Sequence, residues 1–246
     1  MNSNYNKTTI SVCIPTYEMH GKGSILLKRN FNMLLGQTFK NFEVIVTDNS
    51  PDDIIKNLCK DPNYKALNVK YIRNPKRGIS PNTNEAIKQS TGELIKILYM
   101  DDYLTNKNSL QDIVDSFKGY WLVTGCGHDT GNGKIRDMHL PTWNKKLYLG
   151  KNTIGSPSVL TIKNENPPLF DENLTWTLDC DYYQRLYDQH GEPTILNKIN
   201  VIIGKGKHQT TNHLNYLIKK NEYKYMRKKY ATKQEKNKIF KMFKFW

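Results

Sequence analysis

Short apolar runs rich in β-branched residues alternate with helix-patterned segments through the first half of this chain, and that alternation leaves few folds open. Thr9–Ile14, Phe42–Thr47, Val69–Arg73 and Leu94–Met100 read as strands. Between the first two, Ser24 can cap a helix to about Leu35, with Leu27, Phe31, Leu34 and Leu35 on one stripe. Asp52 to Cys59 reads as a short helix. Ser80-Pro81 opens another, which ends near Ser90 with Gly92 just beyond. Strand–helix–strand order over about 125 residues predicts an α/β fold, a mainly parallel sheet covered by helices. Further on, Ser109–Lys118 reads as a helix and Trp121–Thr124 as a strand. Residues 125–155 read as loops and short hairpins, Asp179–His190 as a helix and Thr194–Ile203 as a strand. From about Leu214 the tail reads as a basic helix.

In open α/β sheets, ligands sit beyond the carboxyl ends of the strands. The first strand ends in Pro15-Thr16-Tyr17-Glu18, the second in Asp48-Asn49-Ser50 and the third in Asn74-Pro75-Lys76-Arg77-Gly78. The fourth runs into two adjacent carboxylates, Asp101 and Asp102. A buried acid pair needs a partner, because desolvating charge is costly, and oxygen ligands suit Mg²⁺ or Mn²⁺. The bland alternative is a solvated acidic turn. Together these ends supply what a nucleoside diphosphate needs. Tyr17 can stack on a base, Asp48 can accept from base or ribose donors, and Arg77 and a metal can offset diphosphate charge. Each also has a duller reading: Tyr17 as turn residue, Asp48 as Asx-turn former, Arg77 as solvated charge. Asn84, one turn into its helix, is either a ligand contact or a buried cap-like group.

Composition narrows the function. The formal net charge is +14, of which +9 falls in residues 216–246. A basic body suits anionic substrates, and the tail Lys238–Trp246, interleaving Lys with Phe, Met and Trp, suits an anionic membrane surface. No nucleic-acid-binding motif accompanies the charge, so nucleic acid is not the expected partner. No G-x-G-x-x-G or P-loop follows the first strand, which disfavours dehydrogenases and P-loop enzymes. A nucleotidyltransferase, the rival metal-dependent enzyme, would want a Gly-rich basic loop there. Cys13, Cys59, Cys126 and Cys180 are scattered without CxxC spacing, and reduced thiols in a cytoplasmic protein are expected. Cys126-Gly127-His128 lacks a second pair to complete a zinc site. No run reaches the ~20 apolar residues of a membrane span, and the polar start carries no secretory signal pattern.

Ser11–Tyr17, Phe42–Ser50, Asn74–Asn84, Gly92-Glu93 and Asp101-Asp102, in this order and spacing, resemble family-2 glycosyltransferases of the GT-A fold. The likeness is close from about Thr9 to Leu104 and patchy beyond. It implies one domain over 1–215, with a nucleotide-binding half at about 9–104 and an acceptor-side half at 105–215. Residues 216–246 would form a helical basic extension. Thr16, Tyr17, Glu18, Asp48, Arg77, Asn84 and Asp101 would then contact the nucleotide. Asp102 would be the direct metal ligand, with Asp101 as second ligand or ribose contact, although Tyr99 stands where the family often has its first acid. The stretch Phe170–Leu174 and Leu178–Tyr182 resembles the region of the family's base, making Asp179 the general base, with Leu178 in place of the usual Glu. Gly155–Ser158 resembles the acceptor-side segment, and Trp176 could stack on an acceptor sugar. His208 matches a late histidine that reaches metal or diphosphate in related enzymes. The implied reaction is metal-dependent, inverting transfer from a nucleoside-diphosphate sugar to a saccharide or lipid-linked acceptor. The implied location is cytoplasmic or peripheral to a membrane.

Overall fold

A computed structural model describes residues 9–19, 21–131, 134–206, 209, 212 and 214–230. Among them, nine strands form one mixed sheet. In chain order the elements are β1 (Ile10–Thr16), α1 (Gly23–Leu35), β2 (Phe42–Asp48), α2 (Ile54–Cys59), β3 (Val69–Arg73), α3 (Ile79–Lys88), β4 (Leu94–Ile97) and β5 (Tyr103–Leu104). There follow α4 (Ser109–Ser116), β6 (Trp121–Asp129), β7 (Ile135–His139), β8 (Leu160–Lys163), α5 (Leu178–His190), β9 (Thr194–Gly204) and α6 (Tyr216–Tyr230).

The strand order is β3-β2-β1-β4-β8-β6-β9-β5, with β7 paired to β6. β3, β2, β1 and β4 are mutually parallel. The run β1-β2-β3 moves one way along the sheet and β4 returns to the other side of β1. The crevice therefore opens between the ends of β1 and β4, where the order reverses. Beyond β4 the pattern changes, because β8 runs antiparallel to both β4 and β6. The loops expected over 125–155 contain the rest of β6 and all of β7.

β1 is buried at every position and β4 likewise, as expected of strands covered on both faces. Lys96 in β4 is a charge in this core, with 0% exposure. Its ammonium donates to the carbonyls of Ser158 and Leu160. Burial pushes it down to about 7.

The fourth strand is shorter than its apolar run suggests. It ends at Ile97, and residues 98–102 peel away into a turn. The Leu98 amide still donates to Cys13, but the Tyr99 amide goes to the Ser158 hydroxyl and the Asp102 amide back to Tyr99. Two cap expectations also change. Ser24 does not cap α1; instead Glu18 accepts from the Ser24 amide at 3.0 Å and hydroxyl at 3.2 Å. Ser80 lies inside α3, whose start is Gly78 at φ 126°, and its hydroxyl donates to the Leu174 carbonyl. Gly78 occupies a backbone region that a side chain would strain.

The first part of the basic tail is a docked helix. α6 buries Met226 completely in the core and Glu222 nearly so. Burying a methionine contributes about 1.5–3 kcal/mol. No helix among the described residues is long and apolar enough to cross a membrane. Residues 231–246, including Lys238–Trp246, lie outside the described set.

Candidate active site

A cavity of about 920 Å³ opens at the carboxyl ends of β1 and β4. Its size falls in the range of small-molecule sites. Thr16, Tyr17, Arg77, Asp101, Asp102, Ser156, Trp176 and Asp179 all line it. Residues assigned separately to nucleotide, metal and acceptor roles thus share one space.

The acid pair is held from three sides. From α1, the Asn30 amide donates to the Met100 carbonyl at 2.9 Å and Arg29 to the Asp101 carbonyl at 2.7 Å. From β9, the Gly204 amide donates to Asp102 Oδ1 at 2.9 Å. From the segment before β8, the Ser156 hydroxyl donates to Asp102 Oδ2 at 3.2 Å. Asp102 is 2% exposed. Burial, then the adjacent Asp101 charge, push its carboxyl up to about 8, and donors from Ser158, Gly204 and Ser156 only partly offset this. A carboxylate that is costly to ionise alone beside a second acid fits a divalent cation, which would offset both charges. Among the described residues no cluster of three or more His, Cys, Asp or Glu forms a complete metal cage.

Gly204 is close to this pair for a steric reason. A Cβ there would lie 2.1 Å from the Asp101 carbonyl oxygen. We expect Gly204→Ala to displace the acid pair and, on the metal reading of that pair, to weaken binding of a nucleoside diphosphate with Mn²⁺ by at least about tenfold, since ~1 Å misplacement of a site group can cost 10²-fold. Calorimetric titration checks it.

Asp179 is the second residue of α5. Its Oδ2 accepts from the Asn152 amide group at 2.5 Å and its Oδ1 from the Cys180 backbone at 2.7 Å. Asn152 is itself fixed: it donates to the Gly155 carbonyl and accepts from the amides of Ile154 and Gly155. Burial pushes Asp179 up to about 6, against these donors. That range suits a general base near neutral pH. Tyr99 links the two acidic regions. Its phenol is raised by burial first, and then by the Asp179, Asp102 and Asp101 charges against the Thr83 hydroxyl. The neighbouring Asp181 faces elsewhere, with Arg185 at 2.8 Å, Lys229 at 2.6 Å and the Tyr230 hydroxyl at 2.6 Å. It pairs with α6 and Arg185 and is absent from the cavity wall.

Three expected nucleotide contacts are placed differently. Glu18 is 4% exposed and serves α1, as described. The tight turn before it explains this, since the Gly23 amide donates to the Glu18 carbonyl at 2.7 Å and folds the side chain back. Asn84 is a buried clasp, donating to the Phe170 carbonyl at 3.0 Å and accepting from the Phe170 amide at 2.6 Å. Asp48 is fully buried behind the wall. Its carboxylate accepts from the Tyr71 hydroxyl at 2.8 Å and from Ser50, with Arg73 at 3.7 Å. The next residue, Asn49, lines the cavity instead, and its amide braces the loop at Asn74, Lys76 and Gly78. Thr16 lines the cavity but donates to the Thr47 carbonyl, so it ties β1 to β2. Tyr17, 42% exposed, and Arg77, also exposed, present their side chains at the cavity. His208 lies outside the described residues. All four cysteines are free thiols.

Sequence reasoning missed Asn152, Gly204 and Glu222. None lies in a recognisable motif, and each acts through a contact distant in sequence.

The family model for Glycosyl transferase family 2 matches residues 11–169. That is well over half of the chain, and it spans β1 through the antiparallel strand β8. The chain belongs to the family-2 glycosyltransferases and has the α/β GT-A-like fold.

Among curated relatives, the GalNAc(5)-diNAcBac-PP-undecaprenol beta-1,3-glucosyltransferase of Campylobacter jejuni is 35% identical over 122 residues, covering 47% of this chain and 37% of its own. An uncharacterized glycosyltransferase of Rickettsia conorii is 36% identical over 187 residues, covering 71% of this chain and 29% of its own. The chain thus spans about a third of the length of these relatives. Two solved structures share the fold. Staphylococcus aureus TarS 1-349 in complex with UDP-GlcNAc superposes with a TM-score of 0.62 at 22% identity, over 84% of this chain and 61% of that one. A mannosyltransferase of Pyrobaculum calidifontis in complex with GDP-Man and Mn²⁺ gives 0.59 at 14% identity, over 83% and 58%.

Proposed function

We propose that this chain transfers a sugar from a nucleoside-diphosphate donor to an acceptor hydroxyl, with inversion, in one displacement. The observation that carries the reading is the shared cavity, which brings Asp101 and Asp102 together with Asp179 at the reversal of strand order. Asp179 accepts the proton of the acceptor hydroxyl as its oxygen attacks the anomeric carbon and the bond to the diphosphate oxygen breaks. Arg77 offsets diphosphate charge and Tyr17 offers a face to the nucleobase. Trp176 offers a ring to an acceptor sugar. Asp102 and Asp101 would hold Mn²⁺ or Mg²⁺, which when bound neutralises charge on the leaving diphosphate. The complexes of TarS with UDP-GlcNAc and of the archaeal enzyme with GDP-Man and Mn²⁺ support a donor and metal of this kind. The relatives' names, with undecaprenol and poly(ribitol-phosphate) acceptors, support a glycan or lipid-linked acceptor.

A thermal-shift screen of nucleoside diphosphates and nucleotide sugars, with and without Mn²⁺, tests the reading. A ligand at about 100 times its Kd adds about 2.7 kcal/mol, worth roughly 5–10 °C for a chain of this size. We expect such a metal-dependent shift with UDP or a related nucleotide. Equal melting in all conditions counts against the proposal.

A further inference from the structure

Glu222 is a carboxylate at 6% exposure on a helix with no assigned part in the reaction. Its Oε1 accepts from the Thr175 amide at 2.9 Å. Its Oε2 accepts from the amides of Trp176 and Thr177, both at 2.9 Å, and from the Thr177 hydroxyl at 3.1 Å. Three consecutive backbone N–H groups therefore converge on one side chain, the geometry of a backbone anion nest.

The nest stands directly before α5. Thr177 is the N-cap residue of α5, yet its side chain makes no cap bond, because its hydroxyl is spent on Glu222. Fixation of this helix start comes from α6, about 45 residues away in the chain. The negative charge also sits favourably near the positive end of the α5 dipole. Thr175, Trp176, Leu178 and Asp179 all line the cavity. The held segment is thus the acceptor wall itself, and the base follows Thr177 by two residues. On the far side of the base, Asp181 is gripped by Lys229 and Tyr230 of the same helix. Glu222 and this pair hold α5 from both sides of Asp179.

We propose that Glu222 is a positioning residue for transfer, acting through the backbone of 175–177 to set the Trp176 wall and the Asp179 carboxylate. This rests on the reading of Asp179 as base. The donor side does not depend on it, since Asp101, Asp102, Tyr17 and Arg77 are held by other elements.

Glu222→Gln keeps the shape but replaces the acceptor-only carboxylate with an amide that has one acceptor oxygen and an opposing NH₂. Met226→Ala is the control, trimming a core side chain of the same helix that makes none of the nest's hydrogen bonds. Three readouts are compared on the full chain: UDP release from UDP-GlcNAc, the Kd for UDP with Mn²⁺, and amide hydrogen exchange across 171–181. Glu222→Gln is expected to lower kcat at least tenfold, to keep the UDP Kd within twofold and to lose protection at 175–177. Met226→Ala is expected to lower the melting temperature while retaining kcat below it. Wild-type kcat and protection in Glu222→Gln would overturn the proposal, as would an equal kcat loss in both variants. Failure of the wild type to bind UDP would contradict the function reading instead, and the exchange at 175–177 would still decide whether Glu222 holds the segment.

Discussion

Asp179→Asn is expected to lower sugar transfer by about 10²–10⁴-fold, the contribution of a positioned general base. The change is nearly isosteric: the new amide oxygen can keep the Asn152 contact at 2.5 Å, with the NH₂ then turned to the Cys180 amide. The pH profile supplies a second reading of the same residue. Burial holds Asp179 up at about 6 in the folded chain, against 3.8 for a free carboxyl. The base form is the ionised one. At saturating Mn²⁺ the wild-type kcat/KM should therefore rise about tenfold per pH unit below 6 and level off above it. The stability effect has the opposite sign. A raised folded-state value means the folded chain holds its proton more tightly than the unfolded one. Ionising Asp179 thus costs stability as pH rises from about 3.8 through 6. The Asn variant avoids that cost, so at pH 7 it should melt at or above the wild-type temperature while being nearly inactive. A large fall in melting temperature would assign Asp179 a structural role.

Asp102→Ala is expected to abolish transfer and also to abolish the response to Mn²⁺. The reason is local. Asp102 is the nearly buried member of the pair, its two oxygens aimed by Gly204 and Ser156, and its proton is held up to about 8 by burial and Asp101. A cation that offsets the charge would favour its ionisation at neutral pH. Removing Mn²⁺ from the wild type with a chelator should therefore reproduce the variant's loss of nucleotide-induced stabilisation. Proton and metal compete for the same oxygens, so Mn²⁺-dependent stabilisation should strengthen as pH rises toward 8. Equal stabilisation by UDP with and without metal in the wild type would remove the basis for this assignment.

The parallel half of the fold is legible in the sequence because β1, β4 and most of β2 are buried on both faces and the helices carry simple stripes. β1, β2 and β3 fall within two residues of expectation at their ends. β4 is misjudged in length because Leu98 and Met100 are apolar for another reason: they are buried in the turn that presents the acid pair. β7, with exposed positions along most of its length, has no apolar alternation to reveal it. Asp101, Asp102 and Asp179, picked out by motif order, all line the cavity. Glu18 and Asn84 are polar residues in the right motif that satisfy backbone groups at α1 and Phe170 instead. Asn152 and Glu222 are invisible to a reading by motif. Their partners, Asp179 and the 175–177 backbone, lie 27 and about 45 residues away, and only the folded chain brings them together.

On the proposed function, one cavity holds a metal-dependent nucleotide site and a separate base. Calorimetric titration of UDP in the presence of Mn²⁺ into the wild type, Asp102→Ala and Asp179→Asn tests it most directly. Saturable binding to the wild type is expected, with binding within about twofold of that to Asp179→Asn and none to Asp102→Ala, the last being a loss of more than ~2.7 kcal/mol if affinity falls over 100-fold. Undiminished binding to Asp102→Ala would contradict it.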